Sequence, residues 1–543
     1  MKNVLCLFLL AATFAAGAQM PANDLLKHVP ADADQVTDIN LGTITSKMDL
    51  HAVLGILGSK AGKDKIVTMI QQLMSSGLDL HQHVIITKSN SKKADSIQYF
   101  TVIAHITDSA KFVAFLRAKN KETGGEPLHF VHLQSKERVV ATDKDAAAWN
   151  DHLVILTMYT VPGSSNGPLV PPATAQLRAA RRVAVALHGF SDTKFVTDNH
   201  FISTFSDDGD VHLWSHGALW TTMLDKFTKK MPGMNQFGDL SQLAGKADAA
   251  GQSISTLRFE NGKINYRTLK FAGARQLAAT QRMLGQGLNG ELLALVPPRP
   301  LLAVGSLHFD MAALEDTLKR TPSYPMIDSM LHGNGTSVTD IFHALKGDFL
   351  FLVCQPDKAT ADTTSKTKIP APAMFLVATI NDKAAFEKIA PMIKLKNAIT
   401  AGADTMTTDT AHKNPFPYYI VQNDLVVLGK RRQIMEFVNS TATGDPAGKL
   451  LPEQVRANAL DIGIDIHGLV MALLGPMLAP GDTQDPKGKA MMEMVQEFQT
   501  LQISIGAVRD DAIETNVELK LTDQNKNSLT ILTNMISSLA GKP

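Results

Sequence analysis

Two stretches of the chain, about half its length apart, are similar in sequence: FTVIAHITDSAKF at residues 100–112 and MFLVATINDKAAF at residues 374–386. The identical pairs are Ala104/Ala378, Ile106/Ile380, Asp108/Asp382, Ala110/Ala384 and Phe112/Phe386. In each copy an apolar run typical of a strand leads into a segment with helical spacing of its apolar residues. The sequence therefore predicts one strand-to-helix junction that is built twice.

Further matches follow in the same order. They are HVPADADQV (28–36) with LVPPRPLLA (295–303), HQHVIIT (81–87) with GDFLFLV (347–353), NDHLVIL (150–156) with QNDLVVL (422–428), DVHLWSHGAL (210–219) with DIGIDIHGLV (461–470), and ISTLRFENGKINYRTLK (254–270) with ISIGAVRDDAIETNVEL (503–519). A helix-like stretch follows the last pair in both halves, ARQLAATQRML and NSLTILTNMISSL. Because the order is kept while the spacing drifts, we interpret the pattern as an internal duplication.

The repeated Asp has a structural explanation. Asp108 and Asp382 stand where a strand is predicted to end and a helix to begin. A carboxylate there accepts hydrogen bonds from the free amides of the first helical turn and favours the positive helix end. Phe112 and Phe386 are then expected to pack the helix onto the sheet.

The fold class follows from turn signals between strands. Asn261-Gly262, flanked by alternating residues, predicts a tight hairpin, and Asp208-Gly209 predicts another. Tight hairpins require antiparallel pairing, so we expect an α+β protein of two similar domains, each a mainly antiparallel sheet covered by helices. The predicted boundaries are 19–290, with a Pro/Gly/Ser-rich loop at 160–175, and 295–543, with a polar insert at 355–373.

The N-terminal segment MKNVLCLFLLAATFAAGAQ has an early Lys, an apolar run and a small-residue cleavage pattern at Ala16-Gly17-Ala18. These features predict a signal peptide of residues 1–18 and a periplasmic or secreted mature chain. A lipid anchor requires a cysteine directly after the small residues. Cys6 precedes the apolar run instead, so we do not expect a lipoprotein. Cys354 ends the run FLFLVC and is expected to be a buried thiol.

Composition and charge limit the classes of partner that the chain can bind. Hydrophobic residues at 44% and charged residues at 19% are typical of a packed globular protein. With 53 Lys+Arg against 52 Asp+Glu, the chain has no overall attraction to nucleic acid. No later segment is long and apolar enough to span a bilayer, the best candidate being LVMALLGPMLAP at 469–480. The expected partner is an unidentified envelope component or ligand.

One motif formally matches a hydrolase nucleophile. Residues 163–167 read Gly-Ser-Ser-Asn-Gly, which places Ser165 in a G-x-S-x-G pattern, and residues 186–190 read Ala-Leu-His-Gly-Phe, similar to an oxyanion loop. The prolines that follow Gly167 and the order of the two motifs both disfavour this chemistry. We therefore interpret the segment as an exposed linker.

Four histidines are candidates for metal ligands or catalytic bases. His81 and His83 would lie on one face of a strand and can begin a metal site, but the duplication does not preserve them. His216 and His467 are preserved between the halves, each before a Gly at a predicted strand end. A structural role is more common than a functional one for all four.

Residues 207–210, Asp-Asp-Gly-Asp, attract calcium in some proteins, but they lack the spacing of a calcium loop and fit a hairpin tip. The chain also contains no phosphate-binding glycine loop, no C-x-x-C pair and no zinc-protease motif. We therefore predict no catalytic, cofactor-binding or metal-binding residue.

The V-P-A-D-A opening, the duplicated I-x-D-x-A-x-F phrase and the closing hairpin-helix units resemble a family of exported Gram-negative bacterial proteins of unknown function. Many members carry a lipid-anchor cysteine, which this chain lacks. The resemblance implies a duplicated exported protein and transfers no catalytic residue.

The leading hypothesis is a non-catalytic envelope protein that binds or scaffolds another molecule. The alternative is an exported hydrolase whose site forms only in the tertiary structure. A third possibility is oligomerisation through the insert at 355–373.

Overall fold

The structure is a computed structural model. It describes residues 23–48, 76–90, 97–122, 138–142, 145–161, 163–164, 167–168, 171–205, 208–216, 252–284, 288–322, 324–333, 335–356, 372–392, 395–399, 416–439, 446–452, 458–474, 493–509 and 511–541. The predicted signal peptide and most of the polar insert lie outside these ranges. Both helices and strands are abundant, and the strand pairing is mainly antiparallel, which confirms the α+β class.

The chain divides into two compact units. The first comprises residues 1–270 together with 524–543, and the second comprises residues 271–523. Residues 271–290, which the sequence assigned to the first repeat, therefore group with the second unit. The C-terminal segment groups with the first unit.

The first unit contains an antiparallel sheet. Its strands are β1 (Ala33–Asn40), β2 (His83–Asn90), β3 (Gln98–His105), β4 (Arg138–Ala141), β5 (Asp145–Trp149), β6 (Leu153–Thr160), β9 (Val211–His216), β10 (Gln252–Glu260) and β11 (Lys263–Phe271), with a separate pair of short strands β7 (Gly163–Ser164) and β8 (Gly167–Pro168). Hydrogen-bonded neighbours run in the order β10-β9-β1-β2-β3-β6-β5-β4.

Helices cover this sheet. They are α1 (Asn23–Leu26), α2 (Leu41–Lys47), α3 (Ser109–Glu122), α4 (Pro172–His188), α5 (Lys194–Thr197), α6 (Asn199–Phe205) and α15 (Ser528–Gly541). One core joins Phe112 and Leu116 of α3 to Val84, Val102 and Trp149 of the sheet. The apolar stripe of α4 is buried at Ala175, Ala179, Val183 and Leu187, as its helical spacing requires.

The second unit is built from the following elements. Its strands are β12 (Leu301–His308), β13 (Leu345–Cys354), β14 (Ala373–Ile380), β15 (Lys396–Asn397), β16 (Tyr418–Gln422), β17 (Leu425–Gly429), β18 (Leu460–Asp465), β19 (Phe498–Arg509) and β20 (Ala512–Leu521). Its helices are α7 (Ala274–Leu284), α8 (Gly290–Leu293), α9 (Met311–Lys319), α10 (Tyr324–His332), α11 (Val338–Ala344), α12 (Lys383–Ile389), α13 (Arg431–Asn439) and α14 (Ile466–Leu474), with a 3-10 helix at Ala447–Leu450.

Strand order in the second unit is β20-β19-β18-β12-β13-β14-β17-β16-β15. From β19 to β16 this order matches β10 to β5 of the first unit, strand for strand and in the same chain sequence. The outermost strand differs, because β15 pairs with β16 in parallel whereas β4 and β5 are antiparallel. One core contains Leu350, Leu352 and Phe375, and another contains Phe386 and Ile389.

Both repeated junctions have the predicted geometry. Oδ1 of Asp108 accepts hydrogen bonds from the amides of Ala110 and Lys111 at 3.0 Å, and Oδ1 of Asp382 accepts one from the amide of Ala385 at 3.1 Å. Phe112 is fully buried beside Trp149, with ring centroids 5.9 Å apart. The predictions of a helix cap and of a packing anchor are therefore confirmed.

Two local predictions were wrong. Helix α4 begins at Pro172, inside the predicted loop 160–175, because a proline in the first turn has no amide that needs a partner. Asp208-Gly209 joins helix α6 to strand β9 and is not a hairpin, since the segment before it is helical. Asn261-Gly262 does lie between two strands, with Gly262 at a φ of 67°.

The C-terminal segment is anchored to the first unit by side chains and backbone. The amide of Gly262 donates to the carbonyl of Lys526 at 2.8 Å, and Nδ2 of Asn527 donates to the carbonyl of Phe259 at 2.9 Å. Oγ1 of Thr530 donates to the carbonyl of Lys47 at 2.6 Å.

Within the described ranges, no helix has both the length and the apolar character that crossing a bilayer requires.

Candidate functional site

A buried cluster of one carboxylate and two imidazoles lies in the first unit. Asp38 of β1 is completely buried, and Nδ1 of His83 on β2 lies 2.9 Å from each of its carboxylate oxygens. Nδ1 of His212 on β9 lies 3.2 Å from Oδ2. Since an ionised carboxylate only accepts hydrogen bonds, both Nδ1 atoms carry the proton.

The sheet register brings these residues together. Asp38 stands directly opposite His212, and His83 stands opposite Asn40, two residues along β1 and hence on the same face as Asp38. Burial disfavours the ionised form of Asp38. The hydrogen bonds from His212 and His83 outweigh burial and lower the pKa of this carboxyl below its ordinary value.

The carboxylates of Asp208 and Asp210, just before β9, also have partners within the chain. Asp210 is completely buried, and both its oxygens lie 2.7 Å from Nζ of Lys47, while Oδ2 also accepts the amide of Phe259 at 2.6 Å. Asp208 projects outward, with a side chain 93% exposed, and pairs with Arg258. The arrangement is a buried ion pair beside a surface one, and the described carboxylates of this segment do not form a metal site.

The second unit has its own histidine–carboxylate pair. Nδ1 of His308 on β12 lies 2.5 Å from Oδ1 of Asp348 on β13. Oδ2 of Asp348 accepts from Oγ1 of Thr379 at 3.3 Å, and Oδ1 accepts from the amide of Asn289 at the same distance. His308 and Asp348 are 8% and 7% exposed, so the pair is nearly sealed from solvent.

Strand pairing shows which positions correspond in the two sheets. His83 faces Asn40 across β1 and β2, as Asp348 faces His308 across β12 and β13. In the same way Asp38 faces His212, as Ser306 faces Asp461. The two histidine positions of the cluster, 83 and 212, thus correspond to the aspartate positions 348 and 461 in the second unit.

Asp461 differs from the other acids because no cation contacts it among the described residues. Its Oδ1 accepts from Nδ2 of Asn458 at 2.7 Å, and Ser504 stands opposite it on β19. The side chain is 1% exposed. Burial raises the pKa of Asp461 to about 6, against the lowering effect of Ser504 and Asn458.

A groove of about 400 Å³ lies beside the second pair. It is lined by His308, Asp310, Phe342, His343, Lys346 and Asn381, among others. Nε2 of His308 is buried and has no hydrogen-bond partner in the described part of the chain. The imidazole of His308 therefore lies at the wall of the groove with its Nε2 atom covered.

The histidines singled out by the sequence are placed differently from expectation. His81 lies in a turn before β2, so it does not share a strand face with His83. His216 is the last residue of β9, whereas His467 is exposed in helix α14 and not at a strand end. The sheet register aligns His216 with Asp465, because the apparent His-Gly match is shifted by two residues.

The described residues beside the hydrolase motif do not have the strand-turn-helix arrangement that a nucleophile requires. Gly163-Ser164 and Gly167-Pro168 pair as two short strands, while Ser165 lies outside the described residues. Ala186-Leu187-His188 is the last turn of helix α4, and the carbonyl of Ala186 accepts hydrogen bonds from the amide of Gly189 and from Nδ1 of His28. This segment therefore presents no oxyanion loop.

Cys354 is fully buried and free, as predicted from its apolar run. Burial raises the pKa of its thiol to about 12. Across the described ranges, no group of three or more His, Cys, Asp or Glu residues is arranged to hold a metal ion.

Comparison with known proteins adds little. No family model matches the chain, and no curated protein matches it. Crystal forms IV and I of a protein designated TP0453 each match with 11% sequence identity and a TM-score of 0.25. They cover 49% and 46% of this chain and 85% and 79% of that protein.

Sequence reasoning missed the residues that form the clusters, namely Asp38, His212, His308, Asp348 and Asp461. A usable signal was present for His308 and Asp348, because each lies in a strand whose alternate residues, Leu302 and Val304 or Leu350 and Leu352, are apolar. A polar residue at such a position needs a buried partner. Only the sheet register identifies that partner.

Proposed function

We propose that this chain is an exported envelope protein, built from two copies of one α+β module, that binds or scaffolds another molecule without catalysing a reaction. The duplication is supported by the shared order of seven strands and by the repeated capped junctions at Asp108 and Asp382. Export is supported by the N-terminal segment ending at Ala18.

The observation that carries the non-catalytic role is the exchange of residue types between corresponding buried positions. His83 corresponds to Asp348 and His212 to Asp461, yet each site remains buried and hydrogen-bonded. A catalytic site requires particular groups in contact with substrate, whereas a structural polar cluster requires only mutual satisfaction. The hydrogen bonds within each cluster support the second role.

The test measures the free energy of unfolding and the substrate turnover of the same variants. Asp348→Asn is expected to lower the free energy of unfolding of the mature protein, because it leaves His308 facing a neutral amide in a buried site. Lys346→Gln, at an exposed position in the adjacent groove, is the matched control and should leave stability nearly unchanged.

The opposite pattern would support a hydrolase. In that case the mature protein would turn over ester, peptide or glycoside substrates, and Asp348→Asn would abolish the turnover while leaving stability unchanged or higher, as substitutions at catalytic groups often do. Export has its own test, N-terminal sequencing of protein from the envelope fraction. The expected first residue is Gln19, and a chain that still begins at Met1 would refute the cleavage.

A further inference from the structure

The groove beside His308 lies at a point where the two units differ. In the first unit, Asn40 ends β1 and caps helix α2 directly, because its Oδ1 accepts from the amide of Thr43 at 3.1 Å. His308 occupies the corresponding position in the second unit, but helix α9 begins only at Met311 and is capped by Asp310. Two additional residues thus separate the strand from the helix. The side chain at the strand end does not serve as a cap and forms part of the groove wall instead.

The imidazole of His308 is held so that one nitrogen is left to accept a hydrogen bond. Nδ1 donates to Oδ1 of Asp348, whose carboxylate also accepts from Thr379 and from the amide of Asn289. In the neutral ring Nε2 is therefore the acceptor. Nε2 is buried and, within the described ranges, has no donor. A buried acceptor without a donor is rare in native proteins, and here it points to a ligand that supplies an N–H or O–H group.

Free hydrogen-bond donors are present at the start of helix α9. Oδ1 of Asp310 caps the amide of Ala313 at 2.9 Å, which leaves the amides of Met311 and Ala312 without an acceptor among the described residues. Met311 and Ala312 both line the groove. Free amides at a helix N-terminus, together with the positive end of the helix dipole, favour the binding of a carboxylate.

Two further acceptors line the same groove. In the described part of the chain, Oδ2 of Asp310 and Oδ1 of Asn381 have no donor, since Asn381 uses only its Nδ2, which donates to the carbonyl of His343. Together with Nε2 of His308 they make three acceptors. A hydroxyl group has one hydrogen to donate, whereas an ammonium group has three. The acceptor set therefore favours a ligand with an ammonium group.

The rest of the lining is apolar or already paired. Nζ of Lys346 lies 3.4 Å from Oδ2 of Asp424, and Nε2 of His343 lies 3.8 Å from Oε2 of Glu315. A volume of about 400 Å³ suits a small molecule. The larger apolar side chains of the wall are Phe309, Met311, Phe342 and Leu345.

We propose that this groove binds one free α-amino acid with an apolar side chain. This proposal rests on the non-catalytic binding function proposed above and names the class of ligand. The amides of Met311 and Ala312 bind its carboxylate. Nε2 of His308 and the carboxylate of Asp310 bind its ammonium group, and the apolar wall contacts its side chain. Because Nε2 is covered, binding requires rotation of a side chain at the wall, for which the unbranched Met311 is suited.

The experiment is isothermal titration calorimetry of the mature, extensively dialysed protein with L-leucine. Saturable binding with one site per chain is expected. Isocaproate lacks the ammonium group and L-leucinamide lacks the carboxylate, so each should bind at least about tenfold more weakly through loss of charge-assisted hydrogen bonds. Equal affinity for leucic acid, which has a hydroxyl in place of the ammonium group, would overturn the proposal. So would the absence of binding by L-leucine, L-methionine and L-phenylalanine.

Met311→Pro tests the contribution of the helix amides. Proline at the first helical position removes one amide but fits the helix, and the extended backbone of Asp310 accommodates a following proline. Met311→Ala is the matched control, because it shortens the same side chain and keeps the amide. The Kd for L-leucine should be about tenfold higher for Met311→Pro than for Met311→Ala. Equal Kd values would refute binding of the carboxylate at the helix end.

Asp310→Asn tests the ammonium contact without removing the cap, since asparagine caps helices as well as aspartate does. It should raise the Kd at least about fivefold, because the ammonium group loses a charged partner. Asp108→Asn makes the same change at the cap of α3 in the first unit and should leave the Kd within about twofold. Equal effects of the two changes, in variants that circular dichroism shows to be folded, would overturn the proposal. Failure to bind amino acids would leave the stability and turnover test of Asp348→Asn unaffected, so the two proposals can fail separately.

Discussion

Substituting Asp38 by Asn tests whether the buried cluster holds the first unit together. The change preserves the shape of the side chain but removes its charge and turns one acceptor oxygen into a donor. His83 and His212 then present Nδ1–H groups to a partner that can no longer accept from both. All three side chains are at least nine-tenths buried, so water cannot easily replace the lost bonds.

The size of the effect follows from these contacts. A hydrogen bond to a charged group contributes about 1.5–3 kcal/mol, and Asp38 accepts such bonds from two imidazoles. An imidazole can change tautomer and accept from the new amide, which recovers part of that cost. We therefore expect Asp38→Asn to lower the free energy of unfolding at pH 7 by about 3 kcal/mol.

The pH dependence has a defined sign. Because the folded pKa of Asp38 lies below its ordinary value of 3.8, ionised Asp38 stabilises the native state above that value. The stabilisation is lost as the pH falls through the folded pKa. The difference between the wild-type protein and Asp38→Asn should therefore be full at pH 7 and shrink below about pH 3.8.

Urea unfolding followed by tryptophan fluorescence suits this measurement. All three tryptophans of the chain lie before residue 271, so their emission reports the first unit. The midpoint should fall with an unchanged slope. Asp208→Asn, at a surface ion pair, is the control and should shift stability by less than about 1 kcal/mol. Equal small shifts for both variants would refute a structural role for the cluster.

Three further predictions concern single side chains. Asp461→Asn should raise the free energy of unfolding by up to about 3 kcal/mol above pH 6, where the native state must hold this buried carboxyl ionised, and by little near pH 4, where the native carboxyl keeps its proton; urea melts at both pH values check this. Cys354 should not react with Ellman's reagent at pH 8 until urea unfolds the second unit, since its thiol is buried with a pKa of about 12; rapid labelling of the native protein would contradict this. Phe112→Ala should cost about 3–5 kcal/mol and lower the fluorescence-detected midpoint, whereas Phe386→Ala should affect mainly the part of the circular dichroism transition that fluorescence does not report.

The sequence predicted the junctions well because their physics is local. A strand, an Asp cap and a helix with a large apolar anchor lie within 13 consecutive residues, 100–112. Each contact of Asp108 with the first turn spans three residues or fewer. Such features depend on spacing along the chain, which the sequence displays directly.

The candidate clusters could not be predicted in the same way. Asp38 and His212 are separated by 174 positions, and they meet only because β1 pairs with β9 in one register. The sequence alignment of the two halves was off by two residues at this strand. That shift paired His216 with His467 and concealed the correspondence between His212 and Asp461.

Proline was misjudged for a different reason. Pro171-Pro172 was interpreted as part of a loop, because proline breaks helices in their interior. At the first helical turn the same residue is favoured, and α4 begins at Pro172. A proline ends a helix that precedes it and can start a helix that follows it. The amphipathic pattern of α4 begins only after Pro172.

The placement of residues 524–543 in the first unit has a consequence for how the protein is made. Residues 271–523 form one unbroken stretch, so a gene fragment encoding them can be tested for autonomous folding. The first unit is not encoded by one unbroken stretch, because residues 524–543 are synthesised after the second unit. During synthesis this unit cannot be completed until residues 524–543 have emerged, and a stop after residue 523 would damage the part of the protein that was translated first.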